Sequence, residues 1–160
     1  MKKRSVATGI ALLLLFALTS SAFAAPADAK GPLPFKGSIQ SVETYDVQFP
    51  TMYVDANGSG NASHLGRYAV SFEVEVNLLT SAGIASLAFV AANGDSIFAD
   101  GLGQGGPSGT PNVNQIVENY TITGGTGRFA GATGSFTVKR LVSTVTGVSS
   151  GTFDGTIVRH

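Results

Sequence analysis

The 160-residue chain contains no cysteine and no tryptophan, and it has only two histidines. Without cysteine it can form no disulfide, no thiolate zinc site and no lipid-modified cysteine. With so few histidines, and with carboxylates scattered along the chain, a zinc site of three or four protein ligands is not expected. Charged residues make up only 12% of the sequence, and the pair Lys139-Arg140 is too short to be a basic patch for nucleic acid. We therefore expect no metal and no cofactor.

The first 24 residues have the pattern of a bacterial secretory signal peptide. A basic start at residues 2–4 (KKR) precedes an apolar run at 10–18, and Ala-Phe-Ala at 22–24 is a small-residue cleavage site. The run is about half of the roughly 20 apolar residues that span a bilayer, which favours a cleaved signal over an anchor. Cleavage after Ala24 would leave seven basic and ten acidic residues. We expect a secreted or periplasmic protein with no membrane or nucleic-acid partner.

The rest of the chain is dominated by the two-residue periodicity of β-strands. Residues 25–34 contain three prolines and are predicted to be a flexible lead-in, and 35–160 a single β domain. The clearest strand is 68–78, where apolar residues alternate with Glu73 and Glu75, so the two carboxylates are predicted to face solvent. Asn93-Gly94 between two apolar runs predicts a hairpin, since both turn positions favour a positive φ. Seven or eight strands are expected, arranged as a sandwich or a closed barrel.

Three glycine-rich segments are expected to be loops or turns. Residues 55–61 (DANGSGN) have too little charge for calcium and favour a β-loop. Residues 101–112 are predicted to form a twelve-residue loop. Loops of this length are lids, binding loops or disordered segments, and the sequence does not distinguish these alternatives. Residues 123–136 (TGGTGRFAGATGSF) include a G-x-G-x-x-A pattern, but β-type residues follow it instead of the helix that a dinucleotide site needs. We interpret this segment as strand-ending turns, with Phe129 and Phe136 as apolar plugs.

The segment 120–138 (YTITGGTGRFAGATGSFTV) resembles the strand–turn–strand signature of the allene oxide cyclase and dirigent-protein superfamily, including small exported bacterial relatives. Residues 60–76 lie where those proteins have an early glycine-led strand. The resemblance implies an all-β fold, an eight-stranded antiparallel β-barrel, and a possible homotrimer. The plant cyclases use a cavity with a glutamate on the first strand and a cysteine. This chain has no cysteine, so no catalytic residue is carried over from the family.

One candidate site surrounds the only internal histidine. His64 and Arg67 precede the long predicted strand, and Asp55 is near them in sequence. Such a group at a barrel mouth could bind an anionic head group, because arginine offers a two-pronged donor to a carboxylate. The competing interpretation, which we favour, is that His64 and Arg67 only cap strand ends and solvate the rim.

Three functions remain open from the sequence. The first is a barrel that binds or steers a small apolar or amphipathic molecule, with Tyr68 and Phe72 lining the cavity and no catalysis of its own. The second is an isomerase or cyclase in which a cavity carboxylate, Glu43, Glu73 or Glu118, polarises the substrate. The third is a packed barrel with a structural or surface-interaction role. We rank the binding barrel highest, the packed barrel next and the isomerase or cyclase last. A filled interior would exclude the first and second functions, whereas an open cavity is required for both.

Overall fold

The computed structural model describes residues 31–160, which form one closed barrel of eight antiparallel strands. Each strand pairs with its neighbours in sequence, and the last strand pairs with the first. The strands are β1 (Leu33–Gln48), β2 (Thr51–Ala62), β3 (Gly66–Asn77), β4 (Ala82–Ala91), β5 (Ser96–Pro107), β6 (Val113–Gly125), β7 (Thr133–Ser143) and β8 (Val148–Val158). The predicted fold class, an all-β eight-stranded antiparallel barrel, is confirmed. The predicted signal peptide at 1–24 lies outside the described residues.

Strand β3 shows how the two-residue periodicity divides side chains between the barrel interior and the outer surface. Tyr68 and Phe72 are buried in the barrel, and Glu73 and Glu75 are exposed on its outer surface, as the alternation predicts. Leu78 belongs to the apolar face by spacing but lies just beyond the strand and is largely exposed. The alternation therefore identifies the interior face of the barrel but not the depth of each residue along it.

The predicted Asn93-Gly94 hairpin joins β4 to β5. The Gly94 amide donates to the Ala91 carbonyl, and the Ala91 amide donates to the Asp95 carbonyl, both at 2.9 Å. The connection spans four residues rather than two, and a positive φ (89°) occurs at Gly94 but not at Asn93. The hairpin is confirmed, whereas the expected positive φ at both turn positions is wrong, because the longer connection needs only one.

Two segments that the sequence predicts as loops are strands. Residues 55–61 lie inside β2, and residues 101–107 form the second half of β5, so that only 108–112 connect β5 to β6. Both segments keep a continuous antiparallel register with their neighbours. The loop predictions were wrong because the glycines were taken as turn residues, whereas most of them fill inward positions of the barrel.

Inward-facing glycines lie directly opposite large inward-facing side chains on the next strand. A Cβ at Gly101 would be 2.6 Å from Cδ1 of Tyr120, and a Cβ at Gly37 would be 2.6 Å from Cζ of Phe153. Small residues opposite large ones let a narrow barrel close around its contents. The pairs in direct register are Gly37–Phe153, Gly60–Tyr68, Gly101–Tyr120, Gly103–Glu118, Gly151–Arg140 and Gly155–Phe136.

This pairing predicts a position-dependent cost of adding one methyl group. Gly101→Ala is expected to lower the free energy of unfolding by about 1–3 kcal/mol, because the new methyl group overlaps the Tyr120 ring. Gly106→Ala, also in β5, is the matched control, since nothing lies within 4 Å of a Cβ there. Chemical denaturation of both variants measures the difference. Equal stability of the two variants would contradict the proposed role of the inward glycines.

The two ends of the barrel are built differently. At the packed end are the connections 63–65, 92–95 and 126–132, and at the open end are 49–50, 78–81, 108–112 and 144–147. The connection after β6 contains a three-residue 3₁₀ helix, Gly127–Phe129, with a positive φ at Gly127 (55°) and Gly131 (69°). Phe129 is fully buried, and Phe136 nearly so. The interpretation of 123–136 as turns with two apolar plugs is confirmed, and a strand follows instead of a nucleotide-binding helix.

Aromatic rings fill the barrel next to the packed end. The Phe89 ring lies 4.8 Å from Tyr68, 5.4 Å from Phe153 and 6.0 Å from Phe35, measured between ring centroids. The two edge-on contacts, with Tyr68 and Phe35, have the favoured geometry of aromatic pairs. This half of the interior is therefore a solid core.

Candidate functional site

The half of the barrel next to the open end contains a cavity of about 490 Å³. Most of the side chains that line it are aliphatic, with Tyr45 as the one aromatic ring among the described lining residues, and inward glycines at 83, 103 and 105 add no bulk. The volume falls within the range of small-molecule sites, about 300–1,000 Å³. The apolar wall is formed mainly by Met52, Val54, Val74, Val76, Ile116 and Val142.

A buried ionic cluster forms the floor of this cavity. Arg140 on β7 donates from Nε and Nη2 to the two carboxylate oxygens of Glu118 on β6, both at 3.0 Å. Its Nη1 donates to Oε1 of Glu43 on β1 and, at 3.2 Å, to Oγ of Ser149 on β8. All four side chains are buried, so two carboxylates and one guanidinium share a site with little exposure to solvent. We call Glu43, Glu118, Arg140 and Ser149 the floor cluster.

The guanidinium of Arg140 separates the cavity from the aromatic core. Its Cζ lies 5.0 Å from the centroid of the Phe72 ring, a cation–π distance. Burial alone would lower the pKa of Arg140, but its hydrogen bond with Glu118 and the negative charges of Glu118 and Glu43 raise the pKa above its usual value. Arg140 is therefore a permanent cation in the floor cluster.

Tyr45 connects the floor cluster to the mouth of the cavity. Its hydroxyl donates to Oε2 of Glu43 at 3.0 Å, while its side chain remains 42% exposed. Burial, followed by the charge and hydrogen bond of Glu43, raises the pKa of Tyr45 above its usual value. A tyrosine hydroxyl is protonated at neutral pH even at its usual pKa, so Tyr45 acts as a donor to Glu43.

Two of the sequence-predicted residues, Glu43 and Glu118, meet at this floor as its two carboxylates. Phe72 does not line the cavity as expected, because its ring lies beneath Arg140. Tyr68 is deeper, in the aromatic core, where its hydroxyl donates to the Ser38 carbonyl at 2.6 Å. The expectation that Tyr68 lines an open cavity is wrong, because its ring fills the space above Gly60 in the packed half.

The histidine group predicted at a barrel mouth lies at the packed end instead. His64 is in the β2–β3 connection, with Nε2 3.1 Å from the Pro34 carbonyl, and Arg128 donates to the His64 carbonyl at 3.1 Å. Arg67 is exposed at the start of β3, opposite Asn61. Asp55 lies six positions from Asn61 along β2, roughly 20 Å away. Because Asp55 is this far along β2 from His64 and Arg67, the three residues form no common site. The strand-end interpretation of His64 and Arg67 agrees with their positions.

The remaining carboxylate candidate, Glu73, lies on the outer surface, across from Asp55 on β2. It does not reach the cavity, so the expectation that it polarises a bound substrate there is wrong. The cause is the strand pleat, which turns Glu73 away from the face that carries Phe72 and Val74.

Arg140 is the central residue that the sequence reasoning missed, together with its neighbours Tyr45 and Ser149. It was considered only with Lys139, as too short a basic patch, yet the two side chains point to opposite faces of β7. The available signal was its spacing: Phe136, Val138, Arg140 and Val142 alternate on one face. A charged residue on the apolar face of a strand must be paired inside the core or line a cavity.

Among residues 31–160, no three or more histidine, aspartate or glutamate side chains are grouped so that they could hold a metal ion. Within the same part of the chain, no helix has the length and apolar character needed to cross a bilayer.

The comparisons with known proteins leave the family open. The likeness of residues 120–138 to the allene oxide cyclase and dirigent superfamily remains a resemblance in a short motif. The closed eight-stranded barrel agrees with the fold that this resemblance implies. No protein-family model matches the chain, and no curated protein matches it.

Proposed function

We propose that this protein binds a small apolar or amphipathic molecule in the cavity at the open end of its barrel. The observation that carries the proposal is the contrast within one interior: a solid aromatic core in one half, and an apolar-walled cavity above a polar floor in the other. A barrel with only a structural role would gain stability by filling both halves. A preformed apolar cavity with a few convergent polar groups is the usual form of a small-molecule site.

An isomerase or cyclase activity is the second candidate. It is favoured by Glu43, Glu118 and Tyr45, which line the cavity and could contact a substrate. Against it, both carboxylates already accept hydrogen bonds from Arg140, so neither is a free base in this arrangement. We therefore propose binding without catalysis. Any co-purifying molecule, incubated with the protein and analysed for an isomeric product, distinguishes the two candidates.

Export and assembly belong to this proposal as predictions. Secretion or location in the periplasm is inferred from residues 1–24, and a homotrimer from the family resemblance. A ligand-binding barrel outside the cytoplasm would meet small molecules in the periplasm or the medium.

Two adjacent residues of β6 allow a matched test of the cavity. Ile116 faces the cavity and Val117 faces outward. Ile116→Trp is expected to weaken binding of the neutral fluorescent probe N-phenyl-1-naphthylamine by at least about tenfold, or about 1.4 kcal/mol. Val117→Trp should leave the affinity within about twofold. The chain has no native tryptophan, so both variants add one indole and only its position differs.

Native mass spectrometry of the protein purified without denaturant complements this titration. We expect a stoichiometric small molecule that organic extraction releases and that Ile116→Trp excludes. A protein that carries no ligand, and whose probe binding is unchanged by Ile116→Trp, would contradict the proposed function and favour a structural or surface role.

A further inference from the structure

The hydrogen-bond donors of the floor cluster are almost fully used. An arginine has five N–H donors, and four contacts from Arg140 reach Glu118, Glu43 and Ser149. The contact with Glu118 is two-pronged, the strongest geometry for this pair. One N–H of Arg140 has no contact in this cluster, so an anionic ligand could form a two-pronged contact only by displacing a carboxylate. The single buried cation of the cavity thus offers an anion one N–H at most without such a displacement.

The acceptors of the same cluster are only half used. Each carboxylate oxygen can accept about two hydrogen bonds. The oxygens of Glu118 each accept one from Arg140, and those of Glu43 accept one from Arg140 and one from Tyr45. Each of the four oxygens therefore retains capacity for a second donor. A ligand group that donates hydrogen bonds matches this surplus, and a group that only accepts does not.

The charge of the cavity also favours a hydrogen-bond-donating head group over one that only accepts. Two carboxylates face one guanidinium, and no lysine, histidine or second arginine is among the described residues that line the cavity. Counted as formal charges, two carboxylates and one guanidinium give the floor one net negative charge beneath apolar walls. Charges interact strongly where water is excluded, so this excess attracts a cationic head group and repels an anionic one.

We propose that the cavity selects amphipathic molecules with a hydrogen-bond-donating head, and that aliphatic primary amines are its preferred class. The ammonium group would lie on the free acceptors of Glu43 and Glu118, and the hydrocarbon would contact Val74, Val76 and Ile116. This inference rests on the proposed function, because it names the ligand class of the same cavity. The order of affinity is amine, then alcohol, then carboxylate.

Three ligands that share one chain length test this order. Octylamine, octanol and octanoate are titrated at pH 7 against the bound probe N-phenyl-1-naphthylamine, with calorimetry as a probe-free measurement. At this pH an alkyl ammonium is charged and a carboxylate is ionised, as for lysine and glutamate side chains. We expect octylamine to bind about tenfold more tightly than octanol, and octanoate about tenfold more weakly than octanol.

A pair of isosteric substitutions tests whether this order of affinity depends on the floor cluster. Glu43→Gln removes its net negative charge and should reduce the advantage of octylamine over octanol to about twofold or less. Glu73→Gln makes the same change on the exposed outer face of β3 and should leave the advantage unchanged. The ranking on the unsubstituted protein tests the proposal even if Glu43→Gln fails to fold.

The outcomes separate this inference from the proposed function. Equal affinity for the three ligands, or tightest binding of octanoate, with all binding lost in Ile116→Trp, would overturn the head-group preference and leave the binding cavity intact. Loss of the amine preference in Glu73→Gln but not in Glu43→Gln would also overturn it. Absence of octylamine binding in both displacement and calorimetry, with probe binding unchanged by Ile116→Trp, would overturn both proposals.

Discussion

Arg140→Met is expected to lower the free energy of unfolding by about 3–5 kcal/mol, the usual cost of removing one partner of a buried ion pair. The substitution removes four hydrogen bonds and leaves Glu43 and Glu118 buried without a cation. Methionine retains similar volume and can still pack on Phe72. The loss is therefore electrostatic rather than a cavity effect. Urea denaturation at pH 7, followed by circular dichroism, measures it.

A variant that removes the whole floor cluster is the control. Glu43→Met, Glu118→Met, Arg140→Met and Ser149→Ala together leave no unpaired charge or hydroxyl in the cluster. Replacement of a complete buried ion cluster by apolar residues is often neutral or stabilising. We expect this variant to be at least about 2 kcal/mol more stable than Arg140→Met alone. A stability of Arg140→Met close to that of the unsubstituted protein would show that water in the cavity solvates the carboxylates.

Phe89→Ala is expected to cost about 3–5 kcal/mol, the usual range for deleting a buried phenyl ring. Phe89 is completely buried, and its ring contacts four other aromatic rings, those of Phe35, Tyr68, Phe136 and Phe153. The surrounding strands are held by a closed hydrogen-bond ladder and cannot collapse onto the vacated space. Thermal and chemical unfolding of the variant measure the loss.

Phe98→Ala makes the same chemical change on the outer surface. Phe98 is on the neighbouring strand β5 and is 42% exposed. Its removal is expected to cost about 1 kcal/mol or less, since the ring is partly in water and its loss leaves no internal cavity. A similar cost for the two substitutions would show that the aromatic cluster is not the main source of stability in this barrel.

These two predictions assign different roles to the two halves of one interior. The aromatic half contributes stability through burial and ring contacts. The open half contains a buried ionic cluster, which is weak evidence for stability because desolvation offsets much of the attraction between the charges. Retaining such a cluster beside an open cavity is more consistent with a binding site than with a core.

Local pattern was enough to predict an all-β domain and the faces of its strands. In 68–78, side chains at every second position share a face whatever the tertiary structure, so the buried Phe72 and the exposed Glu73 follow from spacing alone. The Asn93-Gly94 hairpin was also a local prediction, because glycine tolerates a positive φ. The same logic misplaced 55–61 and 101–107, where glycine serves packing across strands rather than turns.

The sequence by itself determined that this chain forms an antiparallel β domain whose strands each have an apolar face, since two-residue periodicity and turn residues act locally. Periodicity left a sandwich and a closed barrel open, and the barrel was expected only from the resemblance of residues 120–138 to a known superfamily. Only the tertiary structure decided which residues meet. Glu43 and Arg140 are 97 residues apart in the chain, yet they contact each other because β1 closes the barrel against β8, next to β7. Strand register, not composition, brought both carboxylates to one guanidinium and placed His64 and Arg67 at the opposite end. Register is set by pairing along the whole barrel, so the floor of the cavity could not be inferred from any single segment.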